Sequence, residues 1–143
     1  MEGMPLQAAA DEVAGPVFGA FARYCKCTTE ADDKELKKAL LLALCNLDSH
    51  LQSQPAYMAG ARFSTTDAFL LPVLYHLQVA GLYFKDFEIP YQFDALGQYM
   101  DKHLNSEPML SCTPPEAMVR WGWANARGDE AAAMAAEAEL AQS

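Results

Sequence analysis

The chain has 143 residues, a length that suits one domain with a sizeable hydrophobic core. Its hydrophobic content of 52% excludes global disorder, and its abundance of Ala and Leu with few alternating β-branched residues predicts helices. Because the net charge is −9 and no basic stripe is present, nucleic acid is not expected as a partner.

The N-terminal third predicts an arm and two helices. Residues 1–12 mix small, acidic and Pro residues, so we expect a linker or disordered arm. Apolar residues at helical spacing predict a first helix from Val13 to about Cys27, and Thr29 or Asp32 is expected to cap the second. The second helix carries a leucine stripe with Asp48 lying off it: Leu36, Leu40, Leu44, Leu47 and Leu51.

The most informative stretch runs from Phe63 to Leu82, after a connection in which Gly60 is expected to adopt a positive φ. Ser64 and Asp67 are spaced as a capping box, in which each side chain accepts the other residue's backbone N–H. A helix that is apolar on every side is expected to be central and buried, and its length and polar flanks argue against a membrane span. Pro72 is expected to kink this helix.

The remaining chain predicts three more helices and a tail. Pro90 suits the first turn of one helix and Pro108 the start of a short one, while Pro114–Glu116 begin another that carries Trp121 and Trp123. Residues 129–143 are rich in Ala and Glu without an apolar stripe, so we expect a frayed tail. The first of these helices is expected to bury Phe93, Leu96, Gly97, Met100 and Leu104.

These patterns together predict an all-α fold, with about six helices packed around one central buried helix. The helical domain is expected over residues 13–128, between the arm and the tail.

The cysteines and histidines offer few candidates for chemistry. Cys25 and Cys27 are a weak redox pair because Arg23 and Lys26 lie nearby, but their spacing is not a metal signature. All four cysteines are expected to be reduced thiols, with Cys45 buried in an apolar helix.

Three histidines, His50, His76 and His103, share no ligand spacing, so no metal site is expected. His76 on the central helix is interpreted as a hydrogen-bonded core residue. Asp67 has the character of a general base, but capping is the favoured interpretation because the positive end of the helix dipole would hold its charge there.

The segment from Gly60 through the Ser64–Asp67 box into an apolar helix resembles the C-terminal helical domain of the glutathione transferase superfamily. Residues 71–79 (LPVLYHLQV) and 83–87 (YFKDF) are similar to plant and algal glutathione-dependent dehydroascorbate reductases. Chloride-intracellular-channel proteins are a more distant resemblance. The likeness runs roughly from Ala14 to Ala126, and it implies a bundle of the glutathione transferase C-terminal type.

The resemblance also implies where the chemistry of such a reductase lies. Its nucleophilic cysteine and glutathione site belong to a thioredoxin-like N-terminal domain, and this chain has neither a βαβ pattern nor a Cys-Pro-Phe motif. No catalytic residue is therefore expected here, glutathione is implied as co-substrate of the whole enzyme, and no metal is implied. A thioredoxin-like domain or another protein is the expected partner at an apolar face near Phe18, Phe21 and the central helix.

The tail yields two candidate substrate-binding residues. The relatives end in Gly-Trp-Ala-Pro-Lys, whose Trp and Lys lie near the ascorbate end of the site, and Gly122-Trp123-Ala124 matches that motif. Trp123 is thus a candidate, and Arg127 takes the place of the lysine only after a shift of one residue.

Two functions remain open from the sequence. The chain is either the substrate-side helical domain of a glutathione-dependent dehydroascorbate reductase, inactive without its N-terminal domain, or a stand-alone helical module that acts as a non-catalytic scaffold or assembly subunit. The resemblance implies the cytoplasm or the chloroplast stroma.

Overall fold

A computed structural model describes residues 3–142, with side chains from residue 6 onward. Within that range the protein is all-α, as predicted, and its only β-type pairing is an isolated bridge between Tyr57 and Gly60. A π-helical segment, Leu77–Gly81, joins the third helix to the fourth. The helices are α1 (Gly3–Lys26), α2 (Glu30–Ser53), α3 (Thr65–His76), α4 (Leu82–Lys85), α5 (Asp94–Leu104), α6 (Glu107–Cys112), α7 (Glu116–Arg127) and α8 (Glu130–Ala141).

Helix α1 begins ten residues earlier than expected. Residues 3–12 are helical, so the linker or disordered arm predicted there was wrong for this part, while residues 1 and 2 lie outside the described residues. The reason is that Ala10 and Ala14 are buried and continue the apolar face of Val17 toward the N-terminus. Thr66 at the start of α3 donates its hydroxyl to Asp11, which fastens this turn to the core.

Helix α2 shows two errors in the sequence interpretation. Asp48 is buried rather than off the leucine stripe, because it stands at i+4 from Leu44 on the same face. Its Oδ1 accepts the backbone N–H of Leu96 at 2.9 Å, in the first turn of α5, where a carboxylate satisfies an otherwise unpaired donor. Cys45, one residue beyond Leu44, is exposed rather than buried.

The central helix is continuous from Thr65 to Lys85, through Pro72 and the π-helical segment. Its inner side is buried against α1, α5 and α7, but Phe69, Leu82 and Tyr83 are exposed, so the helix is not buried on every side. By length and composition it could cross a membrane, and half of its apolar window is buried inside the protein. A core helix of a soluble protein meets the same criteria. The kink at Pro72 stays a prediction.

Two connections frame this helix. Before the helix, Gly60 has φ +127°, as expected. This conformation closes a tight bridge in which Gly60 and Tyr57 exchange backbone hydrogen bonds. At its end Asp86 is left-handed with φ 49°, and the Phe87 N–H bonds the Gly81 carbonyl at 3.0 Å. The chain therefore turns sharply after Lys85 and sends Phe87 into the core.

Helix α5 begins at Asp94, so Pro90 is not in its first turn as predicted. Pro90 lies in the preceding turn, where its carbonyl accepts the Phe93 N–H. Its buried residues are Leu96, Tyr99, Met100 and His103, and Gly97 is exposed, contrary to prediction.

The last helices form a hairpin. Residues 130–141, expected as part of a frayed tail, form α8, whose first turn is capped by the Asp129 carboxylate on the Ala132 N–H at 3.0 Å. Ala133 and Ala136 are buried, because alanine side chains let α8 lie close to α7. The buried stripe of α8 thus consists of small residues, whereas the prediction of a frayed tail relied on the absence of a convincing apolar stripe. The division of the chain into domains stays a prediction.

Candidate functional site

The predicted capping box is present at the start of α3. The Asp67 N–H donates to Ser64 Oγ at 3.4 Å, and the Ser64 N–H donates to Asp67 Oδ2 at 2.9 Å. Asp67 is fully buried, and its Oδ1 also accepts the Met58 N–H at 3.0 Å and the Tyr99 hydroxyl at 2.5 Å. One carboxylate thus ties the box to the preceding loop and to α5.

This arrangement favours a structural role for Asp67 over that of a general base. Both carboxylate oxygens already accept two hydrogen bonds each. Oδ1 accepts those from Met58 and Tyr99, and Oδ2 accepts the Ser64 N–H and also the Ser64 hydroxyl at 2.7 Å. Burial raises the pKa of Tyr99 well above its usual range, and the hydrogen bond to Asp67 raises it further. Tyr99 therefore stays a phenol and a donor to the carboxylate.

Two histidines hold the loop before α3. His50 Nε2 lies 2.5 Å from the Met58 carbonyl, and His103 Nε2 lies 2.7 Å from the Ala56 carbonyl. Because a carbonyl only accepts, each Nε2 must carry the proton. Among residues 3–142 no group of three or more His, Cys, Asp or Glu side chains is placed to hold a metal ion.

Trp123 is buried where α7 meets α1 and the central helix. Its ring packs edge-on against Phe21 with centroids 4.8 Å apart, and Phe18 lies beside it. The indole Nε1 donates to His76 Nδ1 at 2.9 Å. Burial lowers the pKa of the half-buried His76, which favours the neutral imidazole that this bond requires. The expectation of a hydrogen-bonded histidine at this position is confirmed.

Arg127 lies one helical turn further along α7 and also faces α1. Its guanidinium donates to the Cys25 carbonyl and lies 4.9 Å from the centre of the Phe84 ring. Beside it, Lys85 donates to the Cys27 carbonyl at 3.0 Å and pairs with Asp33. Two cations thus neutralise the carbonyl end of α1, where the helix dipole is negative.

The thiols near this cluster are poorly placed for catalysis. Burial raises the pKa of Cys25 to about 11, although Arg127 acts in the opposite direction. At neutral pH this thiol is therefore almost entirely protonated. The Cys27 thiol donates to the Thr29 carbonyl at 3.2 Å. All four cysteines lie in the described part of the chain and are unbridged thiols.

Exposed apolar residues lie beside Trp123 on α1 and on the outer side of α3. Phe18 is 46% exposed and Phe69 is 42% exposed. Because residues 69, 72 and 76 are spaced at i, i+3 and i+7, Phe69 shares one side of α3 with the exposed Pro72 and the half-buried His76. We call Phe18, Phe69, Pro72 and His76 the α1–α3 face. Phe21, expected beside Phe18, is fully buried, because Trp123 packs on it.

The structure thus places Trp123 at the α1–α3 face and Arg127 beside the end of α1. Both make internal contacts, and their predicted substrate-binding role stays a prediction. The structural roles of Lys85, Tyr99 and Asp48 were not predicted. The signal for Asp48 and Tyr99 was their helical spacing from buried leucines, whereas the contacts of Lys85 with α1 and α2 depend on the tertiary fold alone.

Replacing Trp123 by Phe tests the indole contact. We expect the free energy of unfolding to fall by about 1–2 kcal/mol, because one hydrogen bond is lost while most of the ring packing is kept. Chemical denaturation measures this change, with Trp121→Phe as the matched control, since Trp121 is exposed and bonds Glu137 on the surface. Equal losses in the two variants would contradict the assigned role.

The described residues form an all-α domain built around one central helix. The chain belongs to the family described as glutathione S-transferase, C-terminal domain, which matches residues 31–102.

The chain is similar to several named proteins. It is 31% identical over 112 residues to the probable glutathione S-transferase DHAR1, cytosolic, of Oryza sativa subsp. japonica, covering 78% of this chain and 52% of that protein. It is 30% identical over 112 residues to glutathione S-transferase DHAR2 of Arabidopsis thaliana, with the same coverage of 78% and 52%. The chloride intracellular channel Clic of Drosophila melanogaster is 39% identical over 69 residues, covering 48% of this chain and 26% of that protein. The chain spans about half the length of the DHAR1 and DHAR2 relatives.

Proposed function

We propose that this chain is the substrate-side helical domain of a glutathione-dependent dehydroascorbate reductase and acts together with a thioredoxin-like domain. The similarity to the DHAR proteins of rice and Arabidopsis supports this proposal, as does the match to the family domain. Relatives named cytosolic and chloroplastic support the cytosol or the chloroplast stroma as its location.

In the proposed enzyme the thioredoxin-like domain supplies the cysteine thiolate. Dehydroascorbate takes up two electrons and one proton to become ascorbate. The cysteine thiolate and one glutathione thiol supply those electrons and that proton as their two sulfurs join in a mixed disulfide. A second glutathione attacks that disulfide, releases the thiolate and leaves as glutathione disulfide. The helical domain contributes a wall of the cleft. Its most buried thiol, Cys25, is a poor nucleophile because burial raises its pKa to about 11.

The observation that carries the proposal is the α1–α3 face. Its exposed phenylalanines, Phe18 and Phe69, are apolar side chains that a partner would cover, and interdomain faces typically bury about 600–1,500 Å². Trp123 contacts both Phe18 and His76, so its indole lies at the border of that face. A second domain docked there would bring its cleft next to Trp123.

The α1–α3 face is tested by association in trans. The 143-residue chain is mixed with the thioredoxin-like domain of a plant dehydroascorbate reductase, and the dissociation constant is measured by calorimetry. We expect Phe69→Ser to weaken association roughly tenfold, because a large apolar side chain is lost from the centre of the contact. Met134→Ser is the matched control, since Met134 is 69% exposed on α8 and should leave association unchanged.

Two outcomes would contradict the proposal. Equal dissociation constants for Phe69→Ser and Met134→Ser would mean that the partner contacts a surface other than the α1–α3 face. Absence of any association by the folded wild-type chain would favour the alternative, a stand-alone helical module that serves as a scaffold.

A further inference from the structure

A groove lies beside the central helix, between its π-helical segment and α5. Its volume is about 710 Å³, within the range of small-molecule sites, roughly 300–1,000 Å³. The loop after Asp86 closes one side of it, with Phe87 and Ile89 turned inward. The π-helical segment contributes Leu77 to the lining, and π-helical turns are frequent at functional sites.

The lining combines an apolar floor with carboxylates. Leu82, which is exposed, and the partly buried Ile89 and Phe93 supply apolar surface. Glu88 and Asp101 supply negative charge, as does Asp94 at the first turn of α5. Of the described residues that line the groove, none is a Lys, Arg or His. The overall charge of −9 adds to the negative potential at this site.

In the part of the chain that the structure describes, the ion pairs are Lys85–Asp33 and Arg120–Glu139, so none involves a carboxylate of the groove. Asp94 accepts from Gln98 at 2.8 Å and Asp101 accepts from Asn105 at 3.2 Å, and both partners are uncharged amides of α5. Tyr91 lies at the rim with 87% of its surface exposed, and an aromatic face attracts cations.

We propose that this groove binds a hydrophobic organic cation, a small compound with one aromatic or aliphatic body and one protonated amine. The body lies on the apolar floor, and the ammonium group faces Glu88, Asp94 and Asp101. A cation meets complementary charge along this rim, whereas an anion of the same shape meets three like charges. The site lies within this chain and does not depend on a thioredoxin-like partner.

The probe is 1-naphthylmethylammonium, compared with the neutral 1-naphthylmethanol and the anionic 1-naphthoate. Each is titrated into isotopically labelled protein at neutral pH and followed by amide chemical shifts. We expect the cation to bind roughly tenfold more tightly than the alcohol and the anion not to bind measurably. Shifts should concentrate in the loop over residues 86–93 and in α5, and affinity should fall with added salt.

Gly97 provides a way to fill the groove. It lines the groove on α5, and a Cβ added there meets nothing within 4 Å. Gly97→Leu should therefore fold and weaken cation binding at least roughly tenfold by occupying the site. Gly122→Leu is the matched control, because Gly122 also lies within a helix, has nothing within 4 Å of an added Cβ and is outside the groove.

A second variant tests the charges without changing the shape. Glu88→Gln combined with Asp101→Asn should weaken binding of the cation roughly tenfold and leave the alcohol unchanged, while Glu12→Gln on α1 should alter neither. Cation binding that survives both the filled groove and the charge removal would overturn the proposal. So would equal binding of the three probes, or no binding of the cation at millimolar concentration. If Gly97→Leu fails to fold, the proposal is judged by the double charge variant and by which residues show chemical-shift changes on cation binding.

Discussion

Asp67→Ala is expected to lower the free energy of unfolding by about 3–5 kcal/mol, a large share of the stability of a domain this size. The variant removes a fully buried carboxylate that accepts from the backbone N–H groups of Met58 and Ser64 and from the Tyr99 hydroxyl. With the Ser64 hydroxyl, which also donates to Asp67, four buried or half-buried donors then lose this acceptor. The loss should therefore exceed the roughly 1 kcal/mol usual for a helix cap alone. Urea denaturation followed by circular dichroism measures it.

Two neighbouring variants separate the parts of this network. Ser64→Ala should cost about 1 kcal/mol, because it removes the cap bond but leaves Asp67 with its other donors. Tyr99→Phe should cost about 1–2 kcal/mol, since it removes one donor to the carboxylate and leaves the ring in place. A loss in Asp67→Ala no larger than that in Ser64→Ala would contradict the central role given to the carboxylate.

The capping box shows how much of the fold could be predicted from the sequence. Ser64 and Asp67 are three residues apart, so their bonds follow from local helix geometry, and the structure confirms them. The additional bonds from Met58 and Tyr99 come from a loop and from α5, which the sequence pattern does not place in space. Local chemistry was therefore predictable, whereas the tertiary network built on it was not.

Three of the errors share one physical cause, which is that residue type was weighted above position. Asp48 was assigned to the surface for its charge, although its spacing from Leu44 places it on the buried face. Residues 3–12 were assigned to an arm for their small, acidic and Pro residues, and residues 130–141 to a tail for want of an apolar stripe. Ala10 and Ala133 are nevertheless buried in closely packed helices. Small side chains support helix packing without producing a strong pattern.

The substrate-binding role of Trp123 and Arg127 stays a prediction, and the structure adds the contacts that these side chains make. Trp123 was singled out through the resemblance, and the structure adds its contacts with Phe18 and His76. Arg127 was singled out as a displaced lysine, and the structure shows its guanidinium engaged with the Cys25 carbonyl. Neither contact could be read from spacing, because the partners are distant in sequence.

Reconstituted turnover is expected to show the largest effect of all. The chain alone should reduce dehydroascorbate with glutathione no faster than the uncatalysed reaction, because the covalent step needs a positioned thiolate. With a thioredoxin-like domain of a plant dehydroascorbate reductase added, ascorbate should form at a measurable catalytic rate. Phe69→Ser, which alters the α1–α3 face, should raise the domain concentration needed for half-maximal turnover, and Met134→Ser should not.

The most direct test is the rate of ascorbate formation by the pair of domains when this chain carries no cysteine, with Cys25 replaced by Ala and the exposed or half-exposed Cys27, Cys45 and Cys112 by Ser. The account predicts a rate equal to that of the pair with the wild-type chain, and no rate above background for either chain alone. Glutathione-dependent reduction by the isolated chain, or loss of the paired rate on replacing Cys25 or Cys27, would contradict it, because the nucleophile would then lie in this chain.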